Sequence, residues 1–102
     1  MELSSIEKVL AEETLWALRR KGMTPRDYIV LERWATNSPM LLRDLEKTGQ
    51  DMLERLMRSQ SATETRILLL PSAKELVERM PEYEILSNYG VETELEKVWK
   101  RR

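Results

Sequence analysis

Between residues 24 and 51 the chain carries three helix starts in quick succession: Thr24-Pro25-Arg26-Asp27, Ser38-Pro39 and Gly49-Gln50-Asp51. Proline suits a first helical position, because the N–H it lacks has no partner there anyway. Threonine and serine before it offer an oxygen to the free N–H groups of the first turn. Helices this short, joined by turns this tight, must bury their apolar faces against one another. The expected fold class is therefore mainly α, in one domain spanning residues 1–102.

The rest of the chain extends this pattern. Ser4 and Glu7 have capping-box spacing, which starts a first helix running to a stop at Gly22. Ile6, Val9, Leu10, Trp16 and Ala17 share one face, and Ala11, Leu15 and Leu18 widen it beyond half the circumference. A stripe this wide suggests burial on two sides, against the domain and against a second subunit. The second helix, capped by Thr24, offers Tyr28, Leu31 and Ala35, with Ile29, Val30 and Trp34 beside them. The third, Pro39 to Thr48, offers Met40, Leu41, Leu42 and Leu45. The fourth, Gln50 to Ser59, offers Met52, Leu53, Leu56 and Met57. Ser59 to Thr65 is polar and reads as a loop or hairpin tip. Ile67 to Leu70 reads as a short buried strand, although leucine is a weak strand former and helix stays open. Ser72 and Glu75 form another box, starting a helix that Pro81 ends or kinks. Tyr83, Ile85, Leu86 and Tyr89 continue to Gly90. Val91, Leu95, Val98 and Trp99 form a last amphipathic stripe before Lys100-Arg101-Arg102.

Composition excludes several function classes. There are no cysteines and no histidines. Thiolate metal sites, cysteine nucleophiles and the commonest general base are absent with them. The carboxylates Glu12, Glu13, Glu82 and Glu84 show no metal-binding pattern, and the three glycines make no phosphate-cradling loop. The expectation is a non-enzymatic protein with no catalytic residue, metal or cofactor. The longest apolar run, Ile67 to Leu70, is far short of a membrane span. Met1-Glu2-Leu3-Ser4-Ser5 lacks the basic start and apolar core of a secretory signal, so a cytoplasmic protein is expected. Seventeen basic and eighteen acidic residues give a net charge of −1 and no overall nucleic-acid footprint. Arginine nevertheless outnumbers lysine eleven to six, and arginine is the better phosphate and base-edge ligand.

The order of elements, with Met23-Thr24-Pro25-Arg26-Asp27-Tyr28-Ile29-Val30-Leu31, Leu45-Glu46-Lys47-Thr48-Gly49 and Arg66 to Ser72 leading into Lys74-Glu75-Leu76, resembles the winged helix-turn-helix of MarR-type transcription regulators over about residues 23–80. The turn motif is one residue short, Glu46 stands where a small alanine usually packs, and no wing glycine is present. The resemblance implies a helix-turn-helix core with a minimal wing strand at Arg66 to Ser72, flanked by N-terminal (1–22) and C-terminal (81–102) helices. It implies a homodimeric regulator of double-stranded DNA, with the helix from Gln50 to Ser59 in the major groove. Gln50, Arg55, Arg58 and Ser59 would meet bases or phosphates there, with Arg43, Lys47 and Arg66 on the flanking backbone. Asp51 and Glu54 share that face, and the pairs Asp51–Arg55 and Glu54–Arg58 equally describe a solvated mixed-charge surface.

The alternative is a helical protein–protein adaptor or assembly protein, of phage type, with no nucleic-acid role. In either reading Trp16, Leu95, Val98 and Trp99 would anchor the homodimer, or in an adaptor a protein partner, while Trp34 fills the core.

Overall fold

The computed structural model describes residues 5–99, which form eight helices and no strand. They are α1 (Ser5–Val9), α2 (Glu12–Arg20), α3 (Pro25–Asn37), α4 (Pro39–Thr48), α5 (Gln50–Leu68), α6 (Pro71–Leu76), α7 (Glu82–Asn88) and α8 (Leu95–Val98). The mainly α fold expected from the helix starts is what forms. No helix among the described residues is long and apolar enough to cross a membrane.

The centre is a triangle of α3, α4 and α5, each packed on the other two. Val30, Leu31 and Trp34 meet Leu42 and Leu45 and then Leu53 and Met57, all completely buried. α1 lies across α3 and α4, α8 closes on α4, and α6 and α7 pack on α5, where Ala73, Ile85 and Leu86 are buried. The α3 start is the capping box read from the sequence. Thr24 Oγ1 accepts from the Asp27 N–H at 3.1 Å, and Asp27 Oδ2 accepts from the Thr24 N–H at 2.9 Å. α4 has the expected bounds. Its Met40, expected in the core, is 79% exposed instead.

Four further sequence expectations are corrected. The first helix is two helices, because Ala11 is extended (φ −64°, ψ 149°) and its N–H donates to Glu46 Oε2 at 2.7 Å. Arg43 donates to the carbonyls of Val9 and Lys8 at the end of α1, a favoured place for a cation. The break decouples the two halves of the wide apolar stripe, so Ile6, Val9, Leu10, Leu15 and Leu18 all turn inward and Trp16 stays outside. The Ser4–Glu7 box falls on Ser4, outside the described residues.

The second correction is the largest. The helix assigned to Gln50–Ser59 runs on to Leu68, through the polar segment read as a loop and into the run read as a strand. Residues 66–68 belong to α5, so the wing strand does not form. The buried stripe of α5 is Leu53, Met57, Gln60, Ser61 and Glu64: helical spacing throughout, apolar in its first half and polar in its second. Third, α6 begins one residue before its expected cap, with Pro71 at the first position, and Ser72 instead hydrogen-bonds the Tyr89 hydroxyl. Fourth, the last amphipathic stripe shrinks to the single turn of α8. The basic end at Lys100, Arg101 and Arg102 lies outside the described residues.

Candidate functional site

One candidate site is the outer face of the corner where α4 turns into α5 through Gly49. Lys47 and Arg55 are exposed there, and Gln50 is half-buried; Ser59 and Arg66 are exposed farther along α5, Arg66 in its last turn. Thr48, Gly49, Gln50, Asp51, Met52 and Arg55 line a shallow concavity at the turn. The two remaining arginines of the proposed DNA face are engaged within the chain. Arg43 holds the α1 carbonyls. Arg58 donates from Nε to Glu54 Oε2 at 2.9 Å and from Nη2 to the Gly22 carbonyl at 3.0 Å, and its Nη1 lies 3.6 Å from Asp27 Oδ2. Of the two i,i+4 pairs read from the sequence, Glu54–Arg58 forms. Lys21 Nζ completes the cluster at 2.8 Å from Glu54 Oε1.

Gly22 explains why this cluster is possible. It has φ +85°, a left-handed conformation open to glycine at little cost, so the chain turns out of α2 and aims its carbonyl at Arg58. The hydrogen bond from Lys21, then that from Arg58, holds the Glu54 carboxyl below its ordinary range. The reciprocal bond to Glu54 holds the Lys21 ammonium above its own.

A second cluster, which the sequence reading missed, joins α3, α5, α7 and the C-terminal segment. Glu64 is completely buried. Arg33 grips it through two bonds, Nη1 to Oε2 at 2.6 Å and Nη2 to Oε1 at 2.9 Å. Gln60 Nε2 donates to Glu64 Oε2 at 2.8 Å, and Arg26 Nη1 lies 3.4 Å from Oε1. Arg26 in turn makes two 3.1 Å bonds to the Glu82 carboxylate at the start of α7. The four charges cancel, and among the described residues no buried side-chain polar atom is left without a partner.

The same donors hold the irregular backbone of residues 91–94. Gln60 Nε2 donates to the Glu92 carbonyl at 2.6 Å, while Arg33 (3.3 Å) and the Trp34 indole N–H (2.9 Å) donate to that of Thr93. Asn37 Nδ2 donates to Glu94 Oε1 at 2.9 Å. These side chains capture the backbone that the sequence pattern had assigned to a longer last helix. The available signal was the spacing of Gln60 and Glu64, which continues the 53–57 stripe in register.

Of the four residues expected at an interface, Leu95 is completely buried in the core of its own chain, and Val98 and Trp99 are half-buried against that core. Trp16 is 59% exposed, with the Arg20 guanidinium 4.7 Å from its ring centroid. Groups of three or more carboxylates able to hold a metal are absent among the described residues.

No protein-family model matches the chain, and no curated protein or solved structure is significantly similar to it.

The carboxylates give the fold an acid dependence. The bonds from Arg26 hold Glu82 below its ordinary value of 4.5, as Lys21 and Arg58 hold Glu54. A carboxyl depressed on folding stabilises the protein above its unfolded pKa, and that stability is lost as pH falls through the folded value. Thermal unfolding should therefore hold its midpoint from neutrality down to about pH 5 and fall below that. Glu54→Gln with Glu82→Gln should flatten the acid limb. An unchanged acid limb in circular-dichroism melts of that double variant would remove these two groups from the account.

Proposed function

We propose that this chain is a non-enzymatic recognition module whose partner is a protein. The observation that carries this reading is the state of Arg43 and Arg58. Both guanidiniums are spent on carbonyls and carboxylates of their own chain, and Asp51 and Glu54 remain on the same face of α5. A groove-binding helix needs arginines free to reach phosphates and base edges. By contrast, several large apolar side chains lie outside: Trp16, Leu69, Val77 and Tyr83 are each between 48% and 60% exposed. Exposed aromatics such as Trp16 and Tyr83 serve as anchors in protein recognition.

A homodimeric, helix-turn-helix-type DNA regulator is the second reading. It is favoured by the one-residue turn at Gly49, with Lys47, Gln50 and Arg55 accessible beside it and Ser59 and Arg66 exposed farther along α5.

Fluorescence anisotropy with mixed-sequence duplex DNA across a salt series separates the two. For a protein-recognition module, binding should be absent, or any weak binding should be unchanged by Lys47→Ala with Arg55→Ala. For a groove-binding helix, that double variant should weaken binding and lower the salt slope by about 2, roughly one for each phosphate no longer neutralised. Arg58→Ala is a poor probe, because it also unties α5 from Gly22 and Asp27.

A further inference from the structure

We propose that α2 is a homodimerisation helix, pairing antiparallel with α2 of a second copy about a two-fold axis through Trp16. This does not depend on which partner the rest of the surface takes.

The argument begins with the spacing. Glu12, Glu13, Trp16, Arg19 and Arg20 are all exposed and fall on one side of α2, opposite the buried Leu15 and Leu18. At 100° per residue they span an arc of about 120°, with Trp16 near its middle. When two identical helices run antiparallel about an axis at residue 16, a residue before 16 faces the residue after 16 that lies on the same flank of the seam. Glu13 then meets Arg20 of the second copy, and Glu12 meets Arg19 of the second copy. Each pairing occurs twice, as an isologous interface requires. The two tryptophans meet at the axis, where a buried aromatic contributes most. Acid-first, base-last charge order also suits the helix dipole. The dipole gives no reason, however, to expose an indole midway between the two charge pairs.

The neighbouring side chains prepare this face. Arg20 lies over the Trp16 ring, which orders the indole while it stays exposed. Arg19 donates from Nε to the Tyr28 hydroxyl at 3.2 Å, a bond that uses none of its terminal N–H groups. Leu10, Leu15, Glu7 and Glu12 line a concavity of about 360 Å³ beside Trp16 and Arg19. Glu7 and Arg19 also border the groove between α1 and α3 that holds Ile6, Tyr28 and the exposed Ile29. One helix face is smaller than the roughly 800 Å² per partner of a standard interface, and this continuous groove supplies the additional surface.

The test is charge reversal in the full chain, read by sedimentation over a concentration series, with circular dichroism to show that each variant folds. The wild type should dimerise. Glu12→Arg with Glu13→Arg should weaken dimerisation about 100-fold or more, and Arg19→Glu with Arg20→Glu should do the same, since each puts like charges together at both ends. Mixed in equal amounts, the two variants should dimerise with each other, because the mixed pair restores opposite charges at both ends. Trp16→Ala should be monomeric. A monomeric wild type would overturn the proposal. So would variants that dimerise as well as the wild type, or a mixture that stays monomeric.

Discussion

Replacing Glu64 by leucine is expected to destabilise the protein by about 3 kcal/mol, near the low end of the 3–5 kcal/mol typical when one partner of a buried ion pair is removed. The carboxylate is fully buried and accepts from Arg33, Gln60 and Arg26. Without it, Arg33 is left beside an apolar group with its side chain only 16% exposed. The effect stays at the low end because Arg33 keeps its bond to the Thr93 carbonyl and Arg26 keeps Glu82. For a domain of this size the melting midpoint should drop by roughly 12–24 °C. Total stability of such domains is about 5–15 kcal/mol, so part of the population should be unfolded at physiological temperature. Adding Arg33→Leu should recover part of the loss, because the double variant strands no charge. Urea unfolding of the three proteins checks this. A single variant within about 1 kcal/mol of wild type would mean that the cluster is structurally incidental.

Trp34→Ala should cost about 4 kcal/mol, from the cavity left by a fully buried indole and from the missing hydrogen bond to Thr93. The two contributions separate in Trp34→Phe, which keeps most of the volume and should cost about 1–2 kcal/mol. Both variants should loosen residues 91–94, since Trp34 is one of the donors that fix that backbone. Hydrogen exchange should report the loosening as faster exchange at α8 than at α4. Equal protection at both would show that Gln60 and Arg33 suffice to hold the segment.

The sequence was most legible where local chemistry decides structure. The Thr24–Asp27 box, Pro39 and Gly49 each act within a few residues of themselves, and the bounds of α3 and α4 follow from them. Trp34 reads as core for the same reason, sitting at helical spacing among aliphatics. Reading failed where a partner distant in sequence overrides the local pattern. Residues 59–65 are polar, and polar runs usually mark loops. Here Gln60 and Glu64 face inward because Arg26 and Arg33, well before them in the chain, meet their charge and hydrogen-bonding needs. The break at Ala11 depends likewise on Glu46, and the short α8 on donors from α3 and α5.

The candidate site divides along the same line. Lys47, Gln50 and Arg55 can be placed near an accessible corner, and Ser59 and Arg66 on the outer face of α5, from periodicity alone. Whether an arginine there is free cannot be read that way, because a guanidinium reaches several residues from its own backbone and binds whatever carbonyl the fold brings near. The sequence by itself determined that this chain would be a set of short packed helices, where they begin near residues 24, 38 and 50, and that thiolate and imidazole chemistry is absent. Only the tertiary structure decided that α5 continues through its polar half, which arginines are consumed internally, and that Trp16 alone among the tryptophans is mostly exposed. Capping and periodicity act over one or two helical turns, whereas charge pairing and backbone capture act between segments that only the folded chain brings together.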